Sequence, residues 1–170
     1  EASYAFAKGY SKHSKPLPLY TMHDAERVFD LLETSTFGEH VDLHEGVQIV
    51  FREAGHLLGA AITEIFIQGD QQKKKIVFSG DLGRSNDIMM RPPAAIQETD
   101  VLFVESTYGN RRHPPEDPAK DLERIVNETF ENGGVLLIPA FAVGRTQLLL
   151  YHLHLLMAEN RIPDVPVYID

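Results

Sequence analysis

Ala60-Ala61-Ile62-Thr63-Glu64-Ile65-Phe66-Ile67-Gln68 decides how the first half of the chain folds. Ile62, Glu64 and Phe66 fall on one face of an extended segment, and Thr63, Ile65 and Ile67 on the other. That two-residue period is a strand signature. Gly69-Asp70-Gln71-Gln72 follows as a turn, and Lys75 to Ser79 returns as the next strand. Upstream the pattern changes to strands from Val41, and Val47-Gln48-Ile49-Val50-Phe51 is the strand before. The three form an antiparallel meander. Lys73-Lys74-Lys75 reads most simply as a solvated hairpin.

Outward from the meander the pattern changes on both sides. The stretch up to Tyr20 is polar and ends in Lys15-Pro16-Leu17-Pro18-Leu19, a poor place for regular structure. Thr21 reads as a helix N-cap with Asp24 as a capping-box partner. Ala25, Val28, Phe29 and Leu32 then predict a helix over 22–33, with Gly38 closing that region. On the other side, Asp100 to Glu105 is a short apolar strand. Asp117 caps a helix with Pro118 at its first position. Leu122, Ile125, Val126 and Thr129 line its buried face, and Gly133-Gly134 ends it. Val135 to Pro139 reads as a buried strand. Leu148, Leu149, His152, Leu155 and Leu156 mark a second helix, and Val165 to Ile169 a last strand. The fold class expected is α/β: an antiparallel meander followed by a β-α-β-α-β run, whose alternation argues for a parallel sheet.

Composition bounds the function. With 170 residues, 43% hydrophobic and 24% charged, the chain suits one ordinary globular domain. No apolar run approaches the ~20 residues of a membrane helix, so no membrane partner is expected. Cysteine is absent, which excludes disulfides and thiolate metal sites and fits a reducing, cytoplasmic compartment. Zinc would have to be held by His, Asp or Glu. The net charge of -9 argues mildly against nucleic-acid binding, though Lys8, Lys12, Lys15 and Arg111, Arg112 cluster locally. The first residue is Glu, as expected of an excised segment or a processed product.

Four segments put a polar group at a strand end beside glycine. They are Gly55-His56-Leu57-Leu58-Gly59-Ala60, Phe78-Ser79-Gly80-Asp81-Leu82-Gly83-Arg84, Val104-Glu105-Ser106-Thr107-Tyr108-Gly109 and Pro139-Ala140-Phe141-Ala142-Val143-Gly144-Arg145. Glycine lets backbone or ligand approach closely, and strand ends are where rigid scaffolds hold reactive groups. Spacing alone leaves the choice open between a metal site and ordinary turn or capping groups.

In this order and at these separations, the four segments resemble the β-CASP branch of the metallo-β-lactamase superfamily, over essentially the whole chain. Glu105-Ser106-Thr107-Tyr108-Gly109 and the segment from Pro139 to Arg145 are the most specific. The glutamate form of the former resembles the RNA-processing members. The resemblance implies part of a metallo-β-lactamase αβ/βα sandwich and a zinc-dependent RNA phosphodiesterase, endo- or exonucleolytic, with two zinc ions in the full-length protein. It implies that His56 is a ligand of one zinc, that Asp81 is the carboxylate bridging both, and that Glu105 is an acid supporting a histidine later in the chain. The family's His-x-His-x-Asp-His motif is missing, and its later histidines would lie beyond Asp170. Residues 1–170 are therefore expected to be an internal portion that ends at the start of the β-CASP cap. Alone it is expected to hold no tight zinc pair and to be inactive.

His13, Arg111 and Arg112 are the candidate substrate contacts, His113 lying beside them. His40 and His44 lie roughly 13 Å apart in an extended stretch and cannot share an ion. His152 and His154 point in different directions on a helix. RNA is the expected substrate, with a homodimer or the subunits of a processing complex as partners. Two competing functions are a non-catalytic scaffold of an RNA-processing complex and a hydrolase of small esters. Glu105-Ser106-Thr107-Tyr108-Gly109 speaks against the latter.

Overall fold

A computed structural model describes residues 2–11, 17–69, 72–112 and 117–169. The chain divides into two units, Glu1–Thr36 and Phe37–Asp170. The first holds helix α1 (Ala2–Ala7), helix α2 (Met22–Glu26) and a 3-10 turn at Phe29–Leu31. The capping box forms as expected: Thr21 accepts from the Asp24 amide, and the Asp24 carboxylate accepts from the Thr21 amide at 2.8 Å. Two expectations fail here. α1 lies in the stretch read as irregular, and the helix expected over 22–33 stops at Glu26. Val28, Phe29, Leu31 and Leu32 are all exposed. A short helix gains little by continuing where no packing rewards it.

The second unit is built on a five-stranded sheet in the order β1-β2-β3-β4-β5. The strands are β1 (His40–His44), β2 (Val47–Glu53), β3 (Ala61–Gln68), β4 (Lys73–Phe78) and β5 (Val101–Phe103). The meander is as read, extended by β1, and all its pairings are antiparallel. β5 joins β4 in parallel, with Phe78 opposite Phe103 and their rings stacked 4.6 Å apart. A parallel partner requires a long crossover. Here residues 79–100 supply it without a helix.

The register places Val50, Glu64 and Val77 side by side on one face. Ala54, Ile62 and Val77 form a buried cluster there, closed by Ala60 and by Leu82 and Ile96 of the crossover. Glu64, only 3% exposed, also lies on this face. It pairs with Arg52 at 2.6 Å and with Lys75 at 2.5 Å. Burial pushes its carboxyl up, but hydrogen bonds and charge from Lys75 and Arg52 prevail and hold it below its ordinary value. The lysine run is thus only partly solvated: Lys75 serves Glu64, and Lys74 reaches Asp100 at 3.0 Å.

Helices α3 (Pro118–Glu131) and α4 (Arg145–Ala158) follow. Asp117 caps α3 through the Ala119 amide, with Pro118 in the first turn, as read. Leu122, Val126, Leu153, Leu156 and Ile162 form a second core between the helices. Arg161 ties them by pairing with Glu123 at 2.5 Å, while Asn127 donates to its carbonyl at 2.9 Å. The buried face of α4 is therefore set by Leu153 and Leu156, and Leu155 is partly exposed. The segments 135–139 and 165–169, read as strands, carry no strand ladder. Leu136 packs on the helix pair, but Val135 and Leu137 are 85% and 83% exposed. Alternation makes a segment able to extend; a strand exists only where another supplies hydrogen bonds. The chain is mixed α/β, consistent with part of a metallo-β-lactamase fold. Among the described residues no helix is long and apolar enough to cross a membrane.

Candidate functional site

Glu53 pairs with Ala61, Thr63 with Phe78, and Phe78 with Phe103. The last residues of β2, β4 and β5 therefore lie at one end of the sheet. The loops leaving them carry His56, Asp81 and Glu105, so strand register brings to one end three residues far apart in sequence.

The His56 turn is closed by Ala54 N–H to the Ala60 carbonyl and Ala60 N–H to the Leu57 carbonyl, both at 3.0 Å. His56 itself is exposed. The crossover is pinned beside it: Gly83 N–H donates to the Ala54 carbonyl at 2.8 Å, and Ala94 N–H to the Glu53 carbonyl at 2.8 Å. Backbone meets backbone here so closely that a Cβ on Gly83 would stand 1.8 Å from the Gly55 carbonyl oxygen. Gly55 and Gly83 thus have a physical reason, the contact between the His56 turn and the crossover, whereas Gly80 lies against the Ala61 carbonyl of β3 and Gly59 faces open space.

Glu105 locks the third loop to the second. Its Oε1 accepts from the Leu82 amide at 2.9 Å, and its Oε2 from the Thr107 amide at 3.2 Å. The Leu82 amide, then the hydroxyl and amide of Thr107, hold its carboxyl below the ordinary range, and His56 adds charge attraction. Glu105 is therefore an anion at neutral pH, bonded to the residue following Asp81 and within the field of His56. Ser79, which sequence reading passed over, is the buried joint beneath it. Its hydroxyl accepts from the Glu105 amide at 3.0 Å and donates to the Gly80 carbonyl at 2.6 Å, while its amide donates to Phe103 at 2.9 Å. A hydroxyl on the last residue of an apolar strand, just before Gly-Asp, was the available signal.

Imidazole and carboxylate suit zinc. Among the described residues, however, no three His, Asp or Glu side chains gather closely enough to hold an ion. His56 and Asp81 can supply part of a coordination shell, and Glu105 is engaged with amides. The other candidates are not brought in. Arg111 and Arg112 are exposed, while His13 and His113 lie outside the described residues. His40 and His44 lie on β1, at the edge of the sheet, and His152 and His154 on α4.

No family model matches the chain. It is 35% identical to an RNase J-like protein of Methanocaldococcus jannaschii over 89% of its own length and 36% of the relative's. It is 32% identical to a ribonuclease of Thermus thermophilus over 90% of its length and 34% of the relative's. It is 37% identical to cleavage and polyadenylation specificity factor 73 of Drosophila melanogaster over 88% of its length and 22% of the relative's. The chain thus spans about a third or less of the length of these curated relatives.

Proposed function

The chain belongs to the β-CASP branch of the metallo-β-lactamase-fold RNA nucleases, and from that premise we propose that the full-length protein is a zinc-dependent ribonuclease to which this chain contributes one edge of the active site. The observation that carries the reading is the Glu105–Leu82 bond at the shared strand end. It fixes the loop bearing Asp81 to the loop bearing Glu105, while the Gly83 amide, donating to the Ala54 carbonyl, holds the same loop beside the turn bearing His56.

His56, by its imidazole, and Asp81, by its carboxylate, would be among the residues that hold zinc. When bound, the ions supply Lewis acidity and a nucleophilic water at neutral pH. The remaining donors, in this reading, come from parts of the protein outside residues 1–170. Glu105 keeps the Asp81 loop in place, and with the Leu82 amide and the amide and hydroxyl of Thr107 on three of its four acceptor positions it retains one with which to orient a histidine from elsewhere. That imidazole would deliver a proton to the leaving oxygen. The presence of RNA-processing relatives supports an RNA substrate and assembly into a processing complex.

The test uses the full-length protein, a labelled single-stranded RNA and metal analysis. Asp81→Ala is expected to abolish cleavage and sharply lower zinc content. Glu105→Gln is expected to keep most zinc and slow cleavage ~10–100-fold, the usual effect of removing a carboxylate that orients a metal site. Normal cleavage with two zincs in Asp81→Ala overturns the reading. A wild-type protein that cleaves no RNA points instead to a scaffold subunit.

A further inference from the structure

Phe141 and Arg145, from the fourth of the glycine-bearing segments, have no part in the site as described above. The turn they bracket is firmly built. Thr146 donates to the Phe141 carbonyl from its amide at 3.3 Å and from its hydroxyl at 2.8 Å. Gln147 donates from its side chain to the Ala142 carbonyl at 3.0 Å, and the Arg145 amide to Val143 at 3.1 Å. Groups of the first helical turn thus reach back and hold residues 141–143.

The turn is seated on the His56 loop. A Cβ on Gly144 would come within 2.8 Å of Leu57 Cδ2, so that glycine lies against the side chain of the residue following His56. From this seat the Arg145 guanidinium lies over the Phe141 ring, 5.5 Å from its centroid. Phe141 is 74% exposed. Among the described residues the ion pairs engage Arg52, Lys74, Lys75, Arg124 and Arg161, and none engages Arg145. The pair is therefore an exposed ring with an unpaired planar cation over it, on a turn whose Gly144 lies against Leu57, the residue after His56. Elsewhere at this end of the sheet stand the carboxylates of Asp81 and Glu105, in a chain of net charge -9. A polyanion approaching such an end needs a cation there.

We propose that Phe141 and Arg145 form a binding platform for single-stranded RNA, Arg145 taking a backbone phosphate through its guanidinium fork and Phe141 stacking a base. Arginine suits phosphate because its donors form a rigid fork. An exposed ring beside a cation is how proteins hold single strands without reading their sequence. The platform seats the strand so that it runs toward His56 and Asp81. The inference rests on the nuclease reading and adds to it a contact for the substrate strand.

The experiment uses the full-length protein, with anisotropy of a fluorescein-labelled single-stranded RNA and steady-state cleavage of the same RNA, each over a range of salt. Arg145→Gln is expected to raise Kd and KM about tenfold with kcat within about twofold. The slope of log Kd against log salt should fall by about 0.7, one phosphate contact of a single strand. Arg145→Lys keeps the charge and should restore that slope while recovering part of the affinity. Phe141→Ala should weaken binding about tenfold with the salt slope unchanged. An Arg145→Gln protein with the wild-type Kd and slope overturns the proposal. So does a loss of kcat with the slope intact, which marks a structural role. Wild-type protein that binds RNA with this dependence on Arg145 but does not cleave it overturns the nuclease reading alone. Wild-type protein that binds no RNA overturns the platform.

Discussion

The sheet and the helix pair handle their apolar residues differently. In the sheet, Ala54, Ile62 and Val77 are buried together, with Leu82 and Ile96 of the crossover packed against them. Around the helices, Leu122, Val126, Leu153 and Leu156 are also buried, yet Val135 and Leu137 stand in the open. The hairpins of a meander find their partners within a few residues. A helix needs only its own hydrogen bonds and one apolar stripe. A parallel strand needs a partner from far along the chain. The two regions therefore differ in how much of their structure is settled locally.

The largest expected effect that tests this contrast is at the loop contact. Gly83→Ala puts a Cβ into the Gly55 backbone, where neither side can rotate away. It should cost about 3 kcal/mol or more, read as a fall in the urea midpoint. An unchanged midpoint would show that the sheet end is no more tightly determined than the segments beside α4.

Next comes the buried charge on the sheet. Lys75→Met leaves Glu64 with Arg52 alone and should cost about 2 kcal/mol. The same group gives a pH dependence of known sign. Its folded-state pKa lies below the unfolded value of 4.5. The stability it contributes is therefore fully present above that value and is lost as pH falls through the lower, folded one. Urea midpoints between pH 7 and 3 should drop more steeply in the wild type than in Glu64→Gln. Parallel curves would mean that the ion pairs leave the carboxyl unshifted.

The smallest effect belongs to the open segment. Leu137→Ser should change the unfolding free energy of this chain by less than about 0.5 kcal/mol, as exposed substitutions do. A cost several times larger would mean that residues 135–139 are covered in solution, and the contrast would fail.

What the sequence made legible follows the same division. The capping residues Thr21 with Asp24 and Asp117 with Pro118 announce helix starts because the cause lies within three residues. The alternation from Val47 to Ser79 announces the meander for the same reason. How far a structure extends was harder to read. The helix after Thr21 is short, and 135–139 lacks its ladder, because packing decides both. Glu64 reads as one more polar position on an alternating strand, and only register shows it buried between Arg52 and Lys75. At the site, the positions of His56, Asp81 and Glu105 at strand ends were legible. The bond from Glu105 to the Leu82 amide and the part played by Ser79 were not, since both depend on β5 lying parallel to β4 across a long crossover.

That crossover ties together two things usually kept apart. Residues 79–100 carry Asp81 at one end, and through Leu82 and Ile96 the same segment is the lid of the buried cluster on the sheet. Lifting it uncovers Ala54, Ile62 and Val77 and disperses the site in one motion. By linkage, whatever ligand fastens Asp81 to His56 also fastens the lid, so occupancy of the site and resistance to unfolding rise together. Thermal stability then becomes a gauge of ligation, readable without following the reaction.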